Sequence, residues 1–243
     1  MKTPCLKQKT KPPVHKVLTT HTIGNGIENK TTISAPCVRY GTNNKREAGN
    51  MVFTIILDTE TNGKITNYRG AITDTTGVPR MVQLAYAIYQ DEVLVEEVCV
   101  LVQPKDFIIP IQATQVHGIT TEHALEYGQP LSVVLDKLHS ALALCDEVVC
   151  HNTDFDLRVV HAEFVRANST SPPDFSSMKI SCTMKETTSF VGIKNYYGFK
   201  WASLEELHNK LFGVGVEGAH DALHDVRATA RCYFALKKRG VMK

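Results

Sequence analysis

FTIILDTETNG, residues 53–63, runs five apolar or β-branched side chains directly into Asp58 and Glu60. The apolar run reads as a buried strand, and the acids stand where it ends. Residues two apart in a strand share a face, so Asp58 and Glu60 project together while Thr59 points away. Two carboxylates that close repel each other unless a positive charge sits between them. A divalent cation would supply it. The D-x-E triplet alone is weak, since composition yields roughly 0.6 of them by chance in a chain of this kind.

Working outward, VFTIILD is followed by two more strand patterns, MVQLAYAIYQ and EVLVEEVCVLVQP, joined by a short polar turn around Gln90 and Asp91. A mainly helical stretch spans Thr120 to Leu144, then come the strand EVVCH and a helix from about Asp154 to Ala167. A loop with Pro172 and Pro173 leads to the short strand KISCT. SLEELHNKLFG then predicts a helix stopping at Gly213, and DALHDVRATARCYFALKKRG a final one. Three strands in series followed by alternating helix and strand imply an α/β fold: a mixed central sheet, its first three strands antiparallel, with flanking helices.

The chain has 243 residues, 43% of them hydrophobic, enough for one sizeable core. Its charge of +2 is uneven: residues 1–50 hold nine Lys or Arg against two acids, and residues 51–243 hold 18 against 23. Residues 1–50 are rich in Lys, Thr, Asn and Pro and show no hydrophobic period, so they read as a basic, disordered tail before a domain at 51–243. An organelle-targeting peptide is the alternative for the tail, though it lacks the Arg bias and amphipathic face of one. The seven cysteines include no C-x-x-C pair and sit mostly in apolar runs, the pattern of free thiols in a reducing compartment. No apolar run is long enough to span a bilayer, so the expectation is an intracellular protein without a membrane partner.

Two further stretches carry chemistry. HNTDFDLRVV, residues 151–160, sets His151 and Asn152 at a strand end and Phe155 and Asp156 in the next helical turn. HDALHDVRATA, residues 220–230, sets His220 before a helix and Asp225 about one turn inside it. Each has a structural alternative: Thr153 and Asp156 have capping-box spacing, and Asp225 gains from the dipole of any helix N-terminus. Together and in this order, however, D-x-E, H-N-x-x-F-D and H-x-A-x-x-D-x-x-A-T resemble the three motifs of the DEDDh, or DnaQ-like, 3′-5′ exonucleases, whose members include the proofreading subunit of bacterial replicative polymerase. Multiplied residue frequencies put chance agreement on the order of one in a million. VHGIT at 116–120, RMVQLAYAIY and KWASLEELHNKLFG extend the resemblance across Val52 to Gly240.

The resemblance implies a ribonuclease H-like fold. It also implies a 3′-5′ exonuclease that releases nucleoside 5′-monophosphates from single-stranded 3′ ends, DNA before RNA. Asp58, Glu60, Asp156 and Asp225 are the implied ligands of two Mg2+ ions, with Mn2+ as substitute: four negative charges against four positive. Two such ions activate water and steady the leaving oxygen in phosphodiester hydrolysis. His220 is the implied general base, its ordinary pKa leaving it mostly neutral at physiological pH. His224 falls outside the motif and is expected to face solvent. Thr61, His117 and Phe155 are candidates for the terminal nucleotide, with a core role as the alternative for His117 and the favoured one for Phe155. The insert NGKITNYRGAITDTTGVPR borders the groove or is surface ornament. Partners implied are single-stranded DNA or RNA ends and a DNA polymerase or repair complex. A non-catalytic nucleic-acid- or polymerase-docking module is opposed by five intact catalytic positions, and an endonuclease of the same fold by the His220 spacing.

Overall fold

The computed structural model describes residues 51–169, 172–216 and 221–243. The chain divides into two units between Lys45 and Arg46, and every described residue belongs to the second. The expected basic tail, residues 1–50, lies outside the described residues.

Five strands, β1 (Phe53–Thr61), β2 (Met81–Gln90), β3 (Val93–Leu101), β4 (Glu147–Cys150) and β5 (Lys179–Cys182), form one sheet in the order β3-β2-β1-β4-β5. β1 pairs antiparallel with β2 and parallel with β4; β2 with β3 is antiparallel and β4 with β5 parallel. The expected mixed α/β sheet with three antiparallel strands first is therefore present. The opening stretch is its central strand.

The expected helical stretch before β4 is three helices, α1 (Ile111–His117), α2 (Thr121–Tyr127) and α3 (Leu131–Leu142). Gly118 and Gly128 close the first two. α4 (Thr153–Arg166) follows β4, and two single-turn helices, α5 (Thr183–Glu186) and α6 (Thr188–Val191), follow β5. A short hairpin, β6 (Lys194–Asn195) with β7 (Gly198–Phe199), precedes α7 (Leu204–Phe212) and α8 (Ala222–Lys238). The short α5, α6 and hairpin escaped the sequence reading because elements this brief contain no full hydrophobic period. α7 begins in a capping box of Ser203 and Glu206 and ends at Gly213, whose φ of 74° favours glycine.

Helices cover both sheet faces, which is why β2 is buried along most of its length. Alternation sorts the core. Ile55, Leu57, Leu84 and Val148 pack toward α3 and α4, whereas Ile56, Ala85 and Val149 pack toward α7 and α8. The insert between β1 and β2 is held against α4 by two arginines. Arg158 donates to the carbonyls of Tyr68, Gly70 and Ala71, and Arg166 to those of Thr75, Val78 and Pro79. Fully buried Glu163 on the same helix accepts from Arg80 Nε at 2.9 Å, Met81 N at 2.9 Å and Arg166 at 3.1 Å. The insert is thus pinned along its length. Among the described residues no helix is long and apolar enough to cross a membrane.

Candidate active site

The face of β1 that carries Ile56 also carries Asp58 and Glu60, and Ile56 packs with Ala222 and Val226 of α8. Asp225 stands in the first turn of that helix. One carboxylate oxygen from each of Asp58, Glu60 and Asp225 lies within 4.8 Å of the others, and all three are half-buried. Gln83, opposite Glu60 in the β1–β2 register, accepts a hydrogen bond from Ala222 N at 3.2 Å and so ties the start of α8 to the sheet.

Asp156 arrives from the opposite face. It is only 3% exposed. Its Oδ1 accepts from both Thr59 N at 3.0 Å and Thr59 Oγ1 at 2.8 Å. Thr59 points to the α4 side because its neighbours point to the α8 side, so the acid pair and the threonine between them act on opposite layers. Both bonds fall on Oδ1, which leaves Oδ2 uncommitted by them. The capping-box alternative for this acid fails: Asn152 holds the cap position with φ 106°, Thr153 is already helical, and no side chain caps α4. Rather than capping the helix, Asp156 turns to Thr59 at the end of the sheet.

Electrostatics couples the four acids. Burial first, then Asp156, Asp225, Glu60 and Asp221, hold the Asp58 carboxyl well above the ordinary carboxylate range. Glu60 is pushed up to about 8 by burial and then by Asp225, Asp156 and Asp221. Burial raises Asp156 to about 7 against the downward pull of the Thr59 bonds, with Asp225 adding to the rise. Acids so arranged retain protons near neutrality unless a cation replaces them. The donors are all hard carboxylate oxygens, which suits Mg2+ or Mn2+ better than a soft metal. Cys150 at the end of β4 does not alter that set, because burial and then the nearby Asp156 and Asp58 hold its thiol far toward the protonated form.

His151 of the second motif is structural. Burial lowers it to about 4, so the ring is neutral; Nε2 lies 3.0 Å from the Ala202 carbonyl and must donate to it, leaving Nδ1 to accept from Thr183 Oγ1 at 2.9 Å. The ring staples β4 to α5 and to the segment before α7. His220, the expected base, lies outside the described residues. Its chain neighbour Asp221 caps α8, accepting from Leu223 N at 3.0 Å and His224 N at 3.4 Å, and His224 is exposed as expected. Thr61 Oγ1 donates to Gly63 O at 2.7 Å, His117 Nδ1 accepts from Ile119 N at 3.1 Å, and half-buried Phe155 packs on the α4-side core.

Three participants were not read from the sequence. Thr59, Gln83 and Asp221 position or charge the acids, and only Asp221 left a local signal, as an Asp directly before a helical pattern. The insert also meets the helix of the second motif: Arg158, two residues after Asp156, donates to the Tyr68 carbonyl at 3.3 Å, and burial and then the charges of Asp154 and Asp156 raise the Tyr68 hydroxyl.

Comparisons with known proteins identify the family and the fold. The RNase_T family model, described as Exonuclease, matches residues 55–233. The uncharacterized exonuclease CP81 of Escherichia phage 186 is 32% identical over 141 residues, covering 54% of this chain and 69% of that protein. Exonuclease I of E. coli in complex with a dA16 oligonucleotide superposes with a TM-score of 0.62 at 22% identity, over 77% of this chain and 41% of that one. Its complex with a dT13 oligonucleotide gives 0.60 at 21% identity, with the same two coverages. The chain spans about two fifths of exonuclease I, and at these identities the likeness is one of fold.

Proposed function

Since the chain belongs to the RNase_T exonuclease family, we propose that it hydrolyses single-stranded DNA from the 3′ end, releasing nucleoside 5′-monophosphates with the help of two Mg2+ ions. The observation that carries this reading is the convergence of Asp58, Glu60 and Asp225 within 4.8 Å, beside an Asp156 that Thr59 aims from the other sheet face. Oligonucleotide complexes of exonuclease I support a single-stranded DNA substrate on the same fold.

Asp58, Glu60, Asp156 and Asp225 would hold the cations. Bound there, the cations would lower the pKa of water and offset charge building on the leaving 3′-oxygen. The chain's own residues supply the rest. The four carboxylates set the position of the scissile phosphate by fixing where positive charge collects. His220, immediately before the capped start of α8, takes the proton of the attacking water as that water's oxygen bonds to phosphorus. The bond from phosphorus to the 3′-oxygen then breaks, and that oxygen is protonated from solvent. Thr61 and His117 would line the terminal nucleotide, with Phe155 packed against the core. His151 is neutral and committed to two partners, so it does not compete as base.

The test is incubation of purified protein with 5′-labelled and 3′-labelled single-stranded DNA and RNA, in Mg2+ or EDTA. A 5′-labelled ladder shortening from the 3′ end, present in Mg2+ and absent in EDTA, is expected. Internal fragments would point to an endonuclease, intact substrate to a binding module, and faster loss of RNA to an exoribonuclease.

A further inference from the structure

Residues 194–201, KNYYGFKW, place aromatic rings in water where the fold does not require them. Tyr196 and Tyr197 form the two-residue tip between β6 and β7, and they are 95% and 92% exposed. Hairpin tips are ordinarily filled by Gly, Asn or Asp, whose backbones suit the turn. Here Asn195 and Gly198 already meet that need: Asn195 Oδ1 accepts from Tyr197 N at 2.9 Å, and Gly198 takes φ 120°. The tyrosines add nothing to the turn and are held edge to face, centroids 5.2 Å apart. Trp201 at 59% and Phe199 at 49% exposed continue the aromatic surface.

This surface is tied to the acid site. Lys185 Nζ lies 2.5 Å from Asp154 Oδ2 and 6.0 Å from the centre of the Trp201 ring. Asp154 is two residues before Asp156, on the exposed side of the same helical turn. On the next residue, the Ala202 carbonyl is bonded to His151 of the second motif. Lys185 thus bridges the helical turn that carries Asp156 and the Trp201 ring, and Trp201 lies two residues past the end of β7.

We infer that this hairpin is a stacking platform for the single strand upstream of the scissile bond, with bases lying on Tyr196, Tyr197 and Trp201 and Lys185 and Lys194 facing the phosphates. The inference rests on the exonuclease reading for its ligand. Exposed rings interleaved with cations fit single-stranded polynucleotide, since every base offers a face to stack on and the backbone is anionic. The platform binds chain length rather than sequence.

The experiment uses the full chain and exploits its one tryptophan, Trp201. In EDTA, dT12 should quench the Trp emission and dT2 should leave it unchanged. In Mg2+, the double variant Tyr196→Ala/Tyr197→Ala should raise KM for dT12 by about ten- to a hundredfold. It should hydrolyse the 4-nitrophenyl ester of thymidine 5′-monophosphate at the parental rate, because that substrate is too short to reach the hairpin. Absence of quenching, or an unchanged KM for dT12, overturns the platform. So does loss of self-association in the double variant, by sedimentation, with oligonucleotide affinity intact. A parent protein that cleaves neither substrate in Mg2+ refutes the exonuclease reading instead, while the quenching measurement in EDTA still decides the platform.

Discussion

Asp156→Asn should make the metal-free protein more stable and the enzyme nearly inactive. The amide oxygen keeps both Thr59 bonds, which fall on Oδ1, so the change removes charge and little else. Burial raises Asp156 to about 7 from an ordinary 3.8. For an acid with a raised folded pKa, stability is fully present below the unfolded pKa and is lost as pH rises through the folded one. At about 1.4 kcal/mol per unit, the carboxylate costs the metal-free fold at most about 4 kcal/mol at pH 8 and about 2 at pH 5. With roughly 2–4 °C of Tm per kcal/mol for a domain of this size, the variant should melt above the parent by up to about 8–16 °C at pH 8 in EDTA, and by roughly half as much at pH 5. The assay is a paired thermal melt by circular dichroism at both pH values. Added Mg2+ should raise the parent's Tm at pH 8 more than the variant's. A variant no more stable than the parent in EDTA at pH 8, or a gap equal at both pH values, would refute the claim that unneutralised charge burdens this site.

Three other outcomes follow from the same geometry. Thr59→Val removes the hydroxyl bond but not the backbone one, so the Asp156 carboxylate loses a donor that favours its ionised form, and the acidic limb of the pH–rate profile should move up by about one unit. His220→Ala should lower kcat by roughly 10²- to 10⁴-fold and leave Mg2+-induced stabilisation as in the parent, which a titration of Tm against Mg2+ would check. Glu163→Ala strands Arg80 and Arg166 beside the core. It should cost about 3 kcal/mol in urea unfolding, since removing one partner leaves uncompensated buried charge.

Much of the fold was legible because β1, β2, α7 and α8 are long enough to show their periods, and Gly213 and the Ser203 box mark ends by local backbone chemistry alone. The hairpin of Lys194–Phe199 was not legible as a surface. Its strands are two residues each, and exposure of a tyrosine is a tertiary fact. The insert after β1 could be read as groove border or ornament; its attachment to α4, where Arg158 and Arg166 grip its backbone carbonyls from some ninety residues away, was not legible in the sequence.

The chain order alone determined that Asp58 and Glu60 share a side, since two-residue alternation is a property of any extended strand. It likewise put Asp225 in an early helical turn and named the kind of chemistry that three acidic motifs serve. Only the packed molecule decided that α8 lies over that side of β1 while Asp156 comes from the layer beneath, received by the threonine between the two acids. The reason is physical: alternation and helical period act within a few residues, whereas the meeting of side chains 97 positions apart depends on how sheet and helices bury their apolar faces together.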